Sequence, residues 1–126
     1  MTDDKTIYTR RLSVGEVESV VTGLPGLLWT LVGDCVLTAE YGTECNIHND
    51  LQYVSMQVGI RWLDRFLAES KEQRIFVPAK SDLSISTPAG GLTILFCHES
   101  DIHLTGQNEE LIRHAVESDL LSVLMK

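Results

Sequence analysis

The chain has 126 residues, of which 44% are hydrophobic and 22% charged, and its formal net charge is −8. Such a length and composition suit one globular domain spanning residues 1–126, and exclude a disordered chain. The charge argues against nucleic-acid binding, which needs a basic stripe to displace counterions, and against an anionic membrane surface. No apolar run reaches the roughly 18 residues that a membrane span requires. The start, Met1-Thr2-Asp3-Asp4-Lys5, is acidic and polar where a signal peptide is basic and then apolar, so a cytoplasmic location is expected. Cys35, Cys45 and Cys97 are odd in number and widely spaced, which points to reduced thiols.

In chain order, Thr6 to Leu12 is predicted as a short strand. Ser13-Val14-Gly15-Glu16 fits a capping box, and Val14, Val17, Val20, Val21 and Leu24 follow at helical spacing. Gly23 and Pro25 read as the end of that short helix. The apolar run Leu27 to Val32 then reads as a strand, Gly33-Asp34 as a turn, and Cys35 to Ile47 as extended chain. His48-Asn49-Asp50 forms a second turn cluster. From Val54 the sequence alternates strictly: Met56, Val58, Ile60 and Trp62 are apolar, and Ser55, Gln57, Gly59 and Arg61 are polar or small. Period two means an antiparallel strand with one wet face, closing a long central hairpin of about residues 35–62 and placing Trp62 in the core.

Leu63 to Gln73 is predicted as a short helix. Strands follow at Arg74 to Val77, Asp82 to Thr87 and Leu92 to His98, the last two joined by a turn at Pro88-Ala89-Gly90-Gly91. Leu92 to Cys97 is apolar on both faces apart from Thr93, so it belongs inside a sheet. Asp101 to Thr105 returns after a turn at Glu99-Ser100. A terminal amphipathic helix carries Leu111, Ile112, Ala115, Val116, Leu120, Val123 and Leu124 on one stripe. The resulting fold class is α+β: a mostly antiparallel sheet with an early short helix and a C-terminal amphipathic helix packed on it.

The densest polar cluster is Cys97-His98-Glu99-Ser100-Asp101-Ile102-His103. On one straight strand, same-face neighbours stand about 6.6 Å apart, so at most two donors reach one ion. Across a hairpin, Cys97 or His98 would oppose Asp101 or His103, with His48 and Cys45 needed to complete a tetrahedron. Cys97 and His98, adjacent on a strand, point to opposite faces and make no nucleophile–base pair. No C-x-x-C, H-E-x-x-H, G-x-S-x-G or P-loop spacing is present. At Thr105-Gly106-Gln107-Asn108 a loop enters a helix, but Glu109 and Glu110 already complement the helix dipole and would repel phosphate. No catalytic residue, cofactor or metal is therefore assigned.

The acidity is uneven. Residues 34–50 hold four acids and no Lys or Arg, residues 82–126 hold seven acids against two bases, and residues 61–80 are mildly basic. Such faces steer toward a basic protein partner. The residues expected to meet it are Asp34, Glu40, Tyr41, Glu44, Asp50 and Tyr53 on the central hairpin, with Glu99 and Asp101 in the later polar region. Size, charge and lack of motif suit an immunity-type protein that inhibits a toxin. A regulator acting as a homodimer on another regulator is the alternative, followed by a small enzyme or metal protein built on Cys97, His98, Asp101 and His103.

Overall fold

Ser13 begins the first helix as the sequence requires. Its Oγ accepts from the Glu16 N–H at 3.1 Å, and its own N–H donates to Glu16 Oε1 at 2.9 Å. Arg10 adds a two-pronged ion pair, at 2.7 and 3.3 Å, to the same carboxylate. The Arg10 hydrogen bond, followed by the one from Ser13, holds the Glu16 carboxyl down at about 2. A depressed carboxyl stabilises the fold fully above the ordinary value of 4.5, and that contribution is lost as pH falls toward 2. The computed structural model describes residues 6–42 and 54–125.

The helix, α1, runs Val14–Val32 and does not stop at Pro25. The expected short helix and following strand are one element of 19 residues. Val17, Val20, Val21, Leu24 and Leu28 form a continuous stripe that is at most 3% exposed. An internal proline costs about 3 kcal/mol, whereas each fully buried leucine contributes about 1.5–3 kcal/mol. Leu24 and Leu28 on either side of Pro25 therefore carry the helix across it. It ends at Gly33, whose φ of +70° suits only glycine without strain and whose N–H caps the Trp29 carbonyl at 2.9 Å.

Six strands follow the order β1-β6-β5-β4-β2-β3, every pair antiparallel. They are β1 (Ile7–Tyr8), β2 (Val36–Gly42), β3 (Val54–Gly59), β4 (Asp82–Ser86), β5 (Thr93–Phe96) and β6 (Ile102–Thr105). The expected α+β class is thus what the chain forms. Leu37, Ala39, Val58, Leu83, Ile85, Ile94, Phe96, Ile102 and Leu104 point to one face and share a core with α1. Two more helices join it: α2 (Leu63–Glu72) through Leu63 and Leu67, and α3 (Glu109–Val116) through Ile112 and Ala115.

Three more expectations are corrected. The alternating strand ends at Gly59, because Ile60–Trp62 winds into a 3-10 turn; Ile60 keeps its buried place, but Trp62 swings out to 62% exposure. Arg74 to Val77 is not a strand: Ile75 and Phe76 both donate to the Ser70 carbonyl at the end of α2, with Arg74 at φ +60°. Phe76 is buried all the same, its ring 5.7 Å from that of Phe96. The terminal helix ends at Val116. Ser118 then donates from Oγ to the Ala115 carbonyl at 2.6 Å, and a short 3-10 turn at Ser122–Leu124 carries Leu121 and Leu124 into the core. The turn at Pro88–Gly91 is present as expected, and Asn108 caps α3 by accepting from the Leu111 N–H.

Two glycines set opposite expectations. Gly26 lies inside α1 with nothing near the position of an added Cβ. Gly26→Ala should raise stability by about 0.5–1 kcal/mol. Gly106, at φ +148°, holds the loop before α3 directly against the Gly91 backbone, where an added Cβ would collide with the Gly91 carbonyl. Gly106→Ala should cost about 2 kcal/mol or more. Urea unfolding of both variants checks this; equal effects of the two would contradict the packing described.

Candidate functional site

Pleating puts the alternate strand side chains on a second, mostly polar face, with Leu95 between Ser84 and His103. It carries Thr38 and Glu40 from β2, Ser55 and Gln57 from β3, Ser84 and Ser86 from β4, Thr93 from β5, and His103 and Thr105 from β6. None of the six strands holds a Lys or Arg. Along this face, at one end of the sheet, the register brings together three residues far apart in sequence. Phe96 pairs with Leu83 and with Ile102, so one step further Cys97 stands between Asp82 and Asp101.

The chain reverses tightly here. Ser100 donates to the Cys97 carbonyl at 3.1 Å, Cys97 to the Asp101 carbonyl at 3.0 Å, and Ser100 takes φ +69°. A turn followed by one left-handed residue is a common hairpin closure. Asp82 fixes the near side: its Oδ1 accepts the His98 N–H at 2.8 Å and lies 3.1 Å from His98 Nδ1. That nitrogen is 3.7 Å from Cys97 Sγ. On the far side His103 Nε2 is 3.2 Å from Asp101 Oδ2, and the His103 ring leans on Tyr8 with centroids 4.5 Å apart. Asp101 Oδ1 is buried and has no hydrogen-bond partner among the described residues.

The expectation that Cys97 and His98 diverge is corrected. It holds within a strand, but β5 ends at Phe96, and the turn lets the His98 ring come back toward the sulfur. This still makes no catalytic relay, since one nitrogen of His98 faces both the carboxylate and the sulfur. Burial first, then the negative charges of Asp101, Asp82 and Glu99, push the Cys97 thiol up to about 11. The sulfur is held as a protonated thiol at neutral pH. As donors, Asp82, Cys97 and His98 lie within 4.8 Å of one another, and so do Cys97, Asp101 and His103.

The residues expected to meet a partner are dispersed. Asp34 is exposed but already paired with Arg61 at 3.2 Å. Glu40 is half-buried on the polar face, opposite Ser55 and Ser84. Tyr41 pairs in register with Val54 and Leu83. Glu99 is exposed in the tight turn, whereas Asp101 faces His103. Glu44, Asp50 and Tyr53 lie outside the described residues, as do Cys45 and His48.

A second cluster forms at one corner of the sheet. Val36 is 53% exposed at the corner of the polar face, opposite Gly59, and the Trp62 ring lies against Gly59. Arg61, next to it, reaches over the ring of Trp29, 5.9 Å from the centroid, and Trp29 is itself 46% exposed. At the same end a broad cleft of about 1350 Å³ opens between the Pro88–Gly91 turn and the start of α3, beside Ile7 and Val32.

No family model, curated protein or solved structure matches this chain.

At pH 8 a thiol near 11 is only about one-thousandth thiolate, so Cys97 in the metal-free protein should alkylate about a hundredfold more slowly than a free cysteine. Mass spectrometry of iodoacetamide-treated protein measures this. Alkylation at Cys97 as fast as in the unfolded chain would contradict the buried, acid-flanked geometry.

Proposed function

We propose that the protein works by binding another protein, a basic one, as an inhibitor of the immunity type acting on a toxin in the cytoplasm. The observation that carries this reading is the exposed tryptophan corner. Trp29 and Trp62 stand open beside Val36, with Arg61 between them, next to strands that contain no cation. Tryptophan and arginine dominate interface hot spots, because a wide rigid ring covers much area at little cost in side-chain entropy. Carboxylates at Asp34 and Glu40 and a net charge of −8 supply attraction for a positive surface. The thiol of Cys97, held protonated, offers no ready nucleophile, which favours binding over a cysteine-dependent reaction. Among the described residues no helix is long and apolar enough to cross a membrane.

A homodimer acting on another regulator is the second reading, favoured by one observation. Among the described residues β3 is an edge strand, paired only with β2, and it adjoins the same apolar corner. A second copy pairing there would cover both.

Co-expression with the product of the adjacent gene tests the first reading. The expected outcome is relief of that product's toxicity, with a complex that weakens in moderate salt. Trp62→Ala should weaken it about thirtyfold and Glu40→Arg more modestly, with both variants folded by circular dichroism. An acidic partner, or a complex indifferent to Trp62→Ala and to salt, would overturn the assignment. Sedimentation of the protein alone decides the second reading: a dimer that Trp62→Ala turns to monomer would establish it.

A further inference from the structure

We propose that Cys97, Asp101 and His103 form a binding site for one divalent ion of the zinc class, independent of the partner surface. The three donors come together across the hairpin closed at Ser100, the turn expected at Glu99-Ser100. Around tetrahedral zinc, with bonds of about 2.0–2.3 Å, neighbouring donor atoms stand about 3.3–3.8 Å apart. Here the three atoms lie within 4.8 Å of one another, and His103 Nε2 and Asp101 Oδ2 are already 3.2 Å apart. A small inward rotation of side chains closes the site, with no movement of the strands.

Three further features favour this assignment. Asp101 keeps one buried oxygen without a partner among the described residues, an arrangement that costs free energy unless something binds there. Tyr8 packs on the His103 ring and limits its rotation, as supporting residues of a ligating imidazole do. The row Asp82–Cys97–Asp101 puts two carboxylates beside a buried sulfur with no Lys or Arg on any strand, so a doubly charged cation neutralises what otherwise repels. One sulfur, one imidazole and one carboxylate suit zinc rather than magnesium or calcium. On binding, the sulfur gives its proton to solvent and bonds the ion. Asp82 and His98 keep their own hydrogen bonds on the other side of the sulfur. With three protein ligands, the fourth position is left to water or a ligand.

The test uses untagged full-length protein freed of metal by a chelator, titrated with Zn²⁺ against a chromophoric competitor and with Co²⁺ by absorption. The expected result is one equivalent of Zn²⁺, and for Co²⁺ a thiolate charge-transfer band in the near ultraviolet with intense tetrahedral bands in the visible. Cys97→Ser should abolish the charge-transfer band, and Asp101→Asn and His103→Gln should each weaken Zn²⁺ binding at least about tenfold. Should Cys97→Ser fail to fold, the other two variants, at half-buried side chains, carry the test. No stoichiometric Zn²⁺ would overturn the proposal, and so would a thiolate band persisting in Cys97→Ser. A larger loss in His98→Gln than in His103→Gln would overturn the ligand assignment.

Discussion

The apolar stripe of α1 against one face of the sheet is the contact on which the rest of the molecule depends. Val17, Val20, Val21, Leu24 and Leu28 join Leu37, Ala39, Ile85, Ile94 and Leu104 in a single core. Because side chains alternate along a strand, fixing these positions inward forces every second residue outward. The polar face is thus the other half of the same pattern, and a slip of one residue would turn Glu40 into the core and Leu37 and Leu83 out of it. The long helix also spans the sheet, so its last turn brings Trp29 to the corner where β2 begins.

Two regions of differing chemistry result at opposite ends. Where β2 starts and β3 ends, the 3-10 turn at Ile60–Trp62 exposes apolar rings, and Arg61 joins them through Trp29 and Asp34. Where β4 starts and β5 ends, the register lines up Asp82, Cys97 and Asp101, with an imidazole beside each carboxylate. The first has the anatomy of a macromolecular contact, with large rings beside polar groups. The second is a concentrated set of donor atoms with restrained side chains. The two lie apart, so the proposed partner surface and the proposed ion site do not compete.

Much of the fold was legible because its signals are local. The capping box at Ser13 and Glu16, the alternation of Met56 and Val58, the turn at Pro88–Gly91 and the cap of α3 each follow from a few adjacent residues. What was misread depended on partners distant in sequence. Pro25 looks like a stop until the burial of Leu24 and Leu28 against the sheet is counted. Arg74 to Val77 resembles a strand, but the Ile75 and Phe76 amides are taken by the Ser70 carbonyl, and Phe76 plugs the core from a loop. Trp62 fits the alternation and still leaves the core, because the chain winds into a 3-10 turn from Ile60. The donor cluster was legible around Cys97, including the turn at Glu99-Ser100 that sets it opposite Asp101 and His103, whereas the place of Asp82, from another strand, was not.

The central proposal is that the tryptophan corner is an open surface for a basic partner on a chain of net charge −8. Quenching of Trp62 fluorescence in a Trp29→Phe variant measures it most directly. The account predicts red-shifted emission, quenched by acrylamide nearly as readily as a free indole and more strongly by Cs⁺ than by I⁻ at low ionic strength. Blue-shifted emission protected from acrylamide would place Trp62 in the core and contradict it, as would quenching stronger by I⁻ than by Cs⁺.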